Sequence, residues 1–218
     1  MRLHWSPRSP FVRKVMIVLH ECGLAEQVTL ERSLVIAQKP PNANVLEDNP
    51  LGKIPVLVCD DGTCLFDSRV IAEYLNDSVN GGLFPSDHDR KYRHLRWQAL
   101  GDGLTDILLL WRTELSRDTV PWQGLADGWR QKVQQTMSRL ESEVPDLLAE
   151  SFGIGQIAVI CALGQMDFRW PDCDWRRHFP ALARAEAQWA DRPSVKLTII
   201  RNDEEEDTGA LTAGWLHF

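Results

Sequence analysis

Pro55 heads a stretch, Val56-Leu57-Val58-Cys59, that otherwise has the composition of a buried strand. A proline has no N–H to give a ladder, so this strand must begin at an edge or at a special bend. Asp60-Asp61-Gly62 is a strong hairpin signal, and it returns the chain through Thr63-Cys64-Leu65-Phe66. Asp67-Ser68 then opens a helix that runs to Leu75, with Val70, Ile71 and Tyr74 on one face. A proline-headed strand and an open helix start, close together in the chain, offer main-chain groups and an anion site to a small peptide-like ligand.

The residues before this hairpin supply the rest of a small sheet. Arg2 to Trp5 reads as a strand and Ser6 to Pro10 as a turn. Phe11 to Cys22 carries Val12, Val15, Met16, Val18 and Leu19 at helical spacing, with Gly23 as its C-terminal stop. Gln27 to Leu34 is a second strand, which makes the opening βαβ and favours a parallel pair with a right-handed crossover. Ala37 to Asp48, with Pro40-Pro41, reads as a loop holding at most one short helical turn. The order βαβ then ββα predicts a four-stranded mixed sheet of thioredoxin-like type over residues 1–80.

Residues 81–87 are turn-rich and read as a linker. From 88 to 218 the strand signal is gone and an all-helical domain is expected. Its elements are one long helix from His88 to Glu114 that loosens at Gly101 and Gly103, and a helix from Pro121 to Ala149. A short apolar central helix from Ile157 to Phe168, an amphipathic helix from Pro180 to Ala190 and a last helix from Pro193 follow. Arg201 to Asp207 carries five acids and is expected to be a solvated tail. The apolar end, Gly214 to Phe218, is expected to pack back onto the body.

The bulk numbers exclude more than they identify. A net charge of −7 argues against nucleic acid or an anionic membrane as partner. No apolar run approaches the roughly 20 residues of a membrane helix. With no signal-peptide core at Met1 to Trp5, a cytoplasmic location is expected. The five cysteines, at 22, 59, 64, 161 and 173, have no CxxC spacing and read as reduced packing residues. The six histidines are scattered, so a metal is not expected.

The chemistry-bearing residues each have an ordinary reading. Ser9-Pro10 is a common helix start, serine at the N-cap and proline at the first helical position. A hydroxyl there, aided by the helix dipole, is also suited to donate a hydrogen bond to a thiolate. Lowering a thiol pKa by two units needs about 2.7 kcal/mol, within reach of those two effects together. Ile54-Pro55 suits either a plain edge strand or a cis peptide that exposes the Ile54 main chain to a ligand backbone. Asp67-Ser68 is either a plain cap or a holder for an amino-acid head group, with Lys53 in reach of a second carboxylate.

The order of these features is more telling than any one of them. Ser-Pro-Phe-Val-Arg-Lys-Val after the first strand, Asn-Pro-Leu-Gly-Lys-Ile-Pro-Val-Leu, and Phe-Asp-Ser-Arg-Val-Ile-Ala-Glu-Tyr-Leu together resemble the bacterial, serine-type cytosolic glutathione S-transferases. Ile157 to Leu163 looks like that family's central buried helix. The resemblance implies the glutathione S-transferase fold, glutathione as co-substrate, a homodimer, and conjugation of glutathione to a small electrophile in detoxification. It implies that Ser9 activates the thiol and that Phe11, Lys39, Lys53, Ile54, Pro55, Asp67 and Ser68 bind glutathione. It further points to Asp102, Asp106 and Trp111 for the electrophile. Two departures stand out. Asp67 is one methylene shorter than the glutamate of many relatives. The central helix also starts with Gly153 and Gln156 where a Ser/Thr and Asp capping box is common. Alternatives are a non-catalytic glutathione-binding or regulatory protein, and a glutathione-dependent thiol oxidoreductase. The latter usually has cysteine at the position of Ser9.

Overall fold

The computed structural model describes residues 1–203 and 214–218. The first domain runs β1 (Arg2–Trp5), α1 (Pro10–Glu21), β2 (Thr29–Arg32), α2 (Ala43–Asp48), β3 (Val56–Val58), β4 (Cys64–Leu65) and α3 (Ser68–Val79). The sheet order is β2-β1-β3-β4. β1 pairs in parallel with β2 and antiparallel with β3, with Leu3 opposite both Leu30 and Leu57. This is the mixed thioredoxin-like sheet read from the sequence. β2 starts later than the Gln27 to Leu34 run, because a turn at Ala25–Gln27 consumes the start of that run. Gly62, at φ 85°, closes the hairpin by donating from its N–H to the Cys59 carbonyl at 3.0 Å.

The second domain is helical: α4 (His88–Leu115), α5 (Gln123–Ser142), α6 (Val144–Ala149), α7 (Ile154–Arg169), α8 (Trp175–His178), α9 (Pro180–Ala190) and α10 (Pro193–Lys196). α4 does not loosen at its glycines. A Cβ at position 101 would lie 2.5 Å from the Ala158 carbonyl carbon, so Gly101 is what lets α4 and α7 cross in contact. The expected single helix from 121 to 149 is two. Glu143 ends α5, and Pro145, lacking an N–H, sits in the first turn of α6. The Glu143 carboxylate takes two bonds from Arg96, at 2.8 and 2.7 Å, and one from Trp97 Nε1 at 2.6 Å. Burial alone would raise its pKa, but these donors outweigh it and hold the group below its ordinary value.

α7 is the buried centre, with Ile154, Ile157, Val159, Ala162, Leu163 and Met166 at 0% exposure. Its start lacks a serine cap, and the linker supplies the missing acceptor. The Leu83 carbonyl accepts from Ile154 N at 3.0 Å, while Gln156 Oε1 accepts from Gly153 N at 3.1 Å. A Cβ at 153 would come within 2.6 Å of that Leu83 oxygen, so glycine here is the condition for the replacement cap.

One continuous apolar core joins both domains, from Leu3, Val15 and Leu57 under the sheet to Trp97, Trp111, Trp170 and Trp175 among the helices. The C-terminal residues do return to the body: Leu216 is fully buried, and the Phe218 ring meets Phe179 edge-on at 4.9 Å. Asp203, the first acid of the acidic run, is not solvated. It is buried and paired with Arg32 at 2.9 Å. Residues 204–207 of that run lie outside the described residues. Among the described residues no helix is long and apolar enough to cross a membrane.

Candidate functional site

A cleft of about 700 Å³ opens between the sheet's loops and helices α4 and α7. Ser9, Phe11, Lys39, Lys53, Ile54 and Asp106 all line it. These residues lie up to 97 positions apart in the chain, and the crossover of α1 and the packing of α4 bring them to one place.

Ser9 is the N-cap of α1. Its Oγ accepts from Val12 N at 3.2 Å, and Pro10 occupies the first helical position. Ordinary and functional readings therefore coexist. A hydroxyl that spends an oxygen lone pair on the helix keeps its proton to donate into the cleft. The Phe11 N–H, which has no partner among the described residues, and the dipole of α1 add a positive end at the same wall. Ser6, the other serine at this wall, is 7% exposed and receives the Arg8 N–H at 3.4 Å.

The Ile54–Pro55 peptide is cis. Ile54 faces the cleft, whereas Pro55 is buried behind it and does not line it. The loop before them is stapled by Asn49, which is 2% exposed. Its Nδ2 donates to the Lys53 carbonyl at 2.9 Å, and its Oδ1 accepts from Leu51 N at 3.0 Å. Among the described residues no hydrogen bond uses the Ile54 N–H or carbonyl. An unpaired main-chain pair at the entrance of a strand is what an extended ligand backbone would bond to.

Asp67 and Ser68 begin α3 away from the cleft lining. Asp67 is exposed and caps the helix, accepting from Arg69 N at 2.9 Å. Ser68 is 2% exposed, and its Oγ accepts from Lys14 Nζ at 2.9 Å. Lys14 in turn meets Asp102 at 2.6 Å, and Arg69 Nε reaches the other Asp102 oxygen at 2.8 Å. Asp102 is thus a buried counter-ion that ties α1 and α3 to α4. It was expected at the electrophile, and the structure instead seals it beneath the cleft. Lys14 had a visible signal: a lysine within the apolar run of α1, next to Val15 and one turn from Val18.

Trp111 also lies elsewhere than expected. It is fully buried, 6.4 Å from the Trp129 ring and 5.9 Å from that of Trp170. Helix geometry explains this. Leu104, Leu108 and Trp111 share one face at i, i+4, i+7, and all three are core. The face turned to the cleft is Asp106, Leu109, Leu110 and Thr113, at i, i+3, i+4, i+7. The other side of the same helix forms the cleft wall.

Three arginines were not anticipated. Arg8, Arg112 and Arg169 all line the cleft, the first and last only 9% and 5% exposed. Burial, and then the charge of Arg8, holds Arg112 below the usual guanidinium range. Asp106 is pushed up from the ordinary aspartate value, first by loss of water and then by the charge of Asp102. None of the five cysteines borders the cleft. Burial first of all raises the pKa of Cys161 and of Cys173 to about 11, so both are unreactive thiols.

The model of the glutathione S-transferase N-terminal domain matches residues 8–78, and that of the C-terminal domain matches residues 123–191. An uncharacterized GST-like protein of Escherichia coli (strain K12), YibF, is 34% identical over 91% of this chain and 98% of its own. A solved glutathione transferase family member from Pseudomonas fluorescens Pf-5, with bound glutathione, is 40% identical. It covers 92% of this chain and 99% of its own, at a TM-score of 0.88. A second structure of a family member from that strain, with bound S-(propanoic acid)-glutathione, matches with the same identity and coverage at a TM-score of 0.83. With the thioredoxin-like sheet, the all-helical second domain and the cleft between them, these matches place the chain in the glutathione S-transferase family.

Proposed function

We propose that this protein binds glutathione in the cleft and conjugates its thiol to a small electrophile. The observation that carries the reading is the position of Ser9. It stands at an α-helix N-terminus on the cleft wall, with its hydroxyl proton uncommitted. Glutathione bound in the Pseudomonas relative, and the thioether conjugate bound there as well, support both halves of the reading.

In this reading the Ile54 N–H and carbonyl pair with the cysteinyl backbone of glutathione, as an added strand would. Lys53 and Lys39 receive the glycine carboxylate, and Phe11 borders the second substrate. Asp67 faces the γ-glutamyl ammonium. Ser68, with its Oγ held by Lys14, presents its N–H at the start of α3 to the γ-glutamyl carboxylate. The Ser9 hydroxyl donates to the sulfur, and the α1 dipole adds to the same effect. The proton leaves to solvent, and the thiolate attacks the electrophile lying against Asp106, Leu109 and Leu110. A homodimer in the cytoplasm, with domains of 1–80 and 88–218 joined by 81–87, completes the proposal on family grounds.

The test pairs binding to immobilised glutathione with conjugation of an aryl halide. Ser9→Ala should retain binding and lose about 100-fold in kcat/KM, the scale of one preorganised donor removed from a reacting centre. Unchanged conjugation in Ser9→Ala would remove Ser9 from the mechanism. Glutathione binding without conjugation of any electrophile by the wild type would favour the binding-protein alternative.

A further inference from the structure

We propose that a second cavity, separate from the cleft, binds a small amphipathic organic acid, its anionic head at Arg13 and its apolar body against the segment that follows α10. The inference stands apart from the glutathione reading. The cavity holds about 370 Å³ and shares only Ser6 and Ser9 with the cleft. Ser9, Val12, Arg13 and Met16, at i, i+3, i+4 and i+7, turn one face of α1 toward it, whereas Pro10 and Phe11 border the cleft.

Arg13 is the reason to expect an anion. Its side chain is buried, at 8% exposure. Among the described residues its Nη1 meets the Ile160 carbonyl at 3.5 Å, the long limit of a hydrogen bond, and its Nε meets no partner. No carboxylate lines the cavity among the described residues. Lys196, at the same cavity, is already held by Asp191 at 2.9 Å, so the charge without a counter-ion is the buried one. A buried charge that lacks a partner of opposite sign is unfavourable, and a bound anion relieves it. The fold also reserves room for this group, since a Cβ on Gly164 of α7 would collide with Arg13 Nη1. A guanidinium suits a carboxylate or sulfonate, because its fork meets two oxygens at once.

The other walls call for an apolar body behind that head. Leu30 of β2, with Leu197 and Ile199 after α10, lines the cavity while remaining 42%, 70% and 63% exposed. Trp5 and Met16 lie beside them. Apolar groups gathered around a hollow gain when a ligand takes them out of water. The segment that carries Leu197 and Ile199 is fastened in place. Thr198 Oγ1 donates to the Ser194 carbonyl at 2.8 Å, and the Arg201 N–H donates to the Pro7 carbonyl at 3.3 Å. One buried guanidinium among apolar walls fits a singly charged acid with a ring or short chain, rather than a polyphosphate.

Calorimetric titration with 2-naphthoate and its neutral isostere 2-naphthamide tests this. Wild type should prefer the acid by about 10- to 100-fold, the range of a charge-assisted hydrogen bond. Arg13→Met removes the charge and keeps an apolar side chain of similar length, and it should bring that ratio toward one. Leu197→Asp places a like charge at the exposed wall and should weaken the acid by at least about 10-fold. Should Arg13→Met fail to fold, Leu197→Asp, at an exposed position, decides the question. Equal affinities for acid and amide in wild type, or a preference unchanged by both substitutions, would overturn the inference. Binding lost in Leu110→Asp but kept in Leu197→Asp would place the acid in the larger cleft and overturn it as well.

Discussion

The two walls of the cleft are built in opposite ways. The first-domain wall offers main chain and a cap hydroxyl at positions fixed by local turns, with Phe11, Lys39 and Lys53 around them: Ser9 at a cap, Ile54 before a cis proline, and Asn49 stapling the loop to Lys53. The helical wall consists of side chains from one face of α4 and from the end of α7, most of them long and several charged. A wall of main chain recognises a constant partner, since its geometry is fixed by the fold. A wall of side chains on helices can be rewritten by substitution without disturbing that geometry. Under the proposed function, glutathione takes the first wall and the electrophile the second.

That division can be broken by experiment. The largest effect is expected from the core face of α4. Trp111→Ala should cost about 3–5 kcal/mol of stability in urea unfolding, as a buried tryptophan emptied to a cavity does. Next is the fastening between the walls. Lys14→Met leaves Asp102 buried with only the half-exposed Arg69 and strips Ser68 of its partner, at a cost of about 3 kcal/mol. A loss under about 0.5 kcal/mol, the range of ordinary surface changes, would show that the Lys14–Asp102 pair does not hold the walls together. The smallest stability effect belongs to the cleft face. Leu110→Ala, at a residue 57% exposed, should stay within about 0.5 kcal/mol and raise KM for the electrophile instead. If Leu110→Ala unfolds the protein and Trp111→Ala changes only KM, the assignment of the two faces is reversed.

The same contrast explains what could be read from the sequence. Features written in neighbouring residues were legible: the hairpin at Asp60 to Gly62, the Ser9-Pro10 cap, the proline at 55 and the buried run of α7. Features that depend on which way a helix turns were not. Asp102 precedes the cleft-facing stretch of α4 and Trp111 lies within it, but both are buried, and the i, i+4, i+7 series from Leu104 through Leu108 to Trp111 is the sign in the sequence. The arginines escaped because they come together only when α1, α4 and α7 pack. The glycine at the start of α7 looked like a lost cap, because its replacement acceptor, the Leu83 carbonyl, arrives from 71 residues earlier. Gly101 looked like a weak point for the same reason: its use is the contact with Ala158 across the helix crossing.

The central claim is that Ser9 and the α1 N-terminus stabilise the glutathione thiolate. Titrating the thiolate ultraviolet absorbance of bound glutathione against pH, for wild type and Ser9→Ala, tests it directly. A lowered pKa means the charged thiolate is favoured in the complex, so the signal should persist below the free-thiol value. The account predicts a bound thiol about two units under the free value of roughly 8.5, and a return most of the way to it in Ser9→Ala. A bound thiol that titrates like the free one, or a lowered pKa that survives Ser9→Ala unchanged, would contradict it.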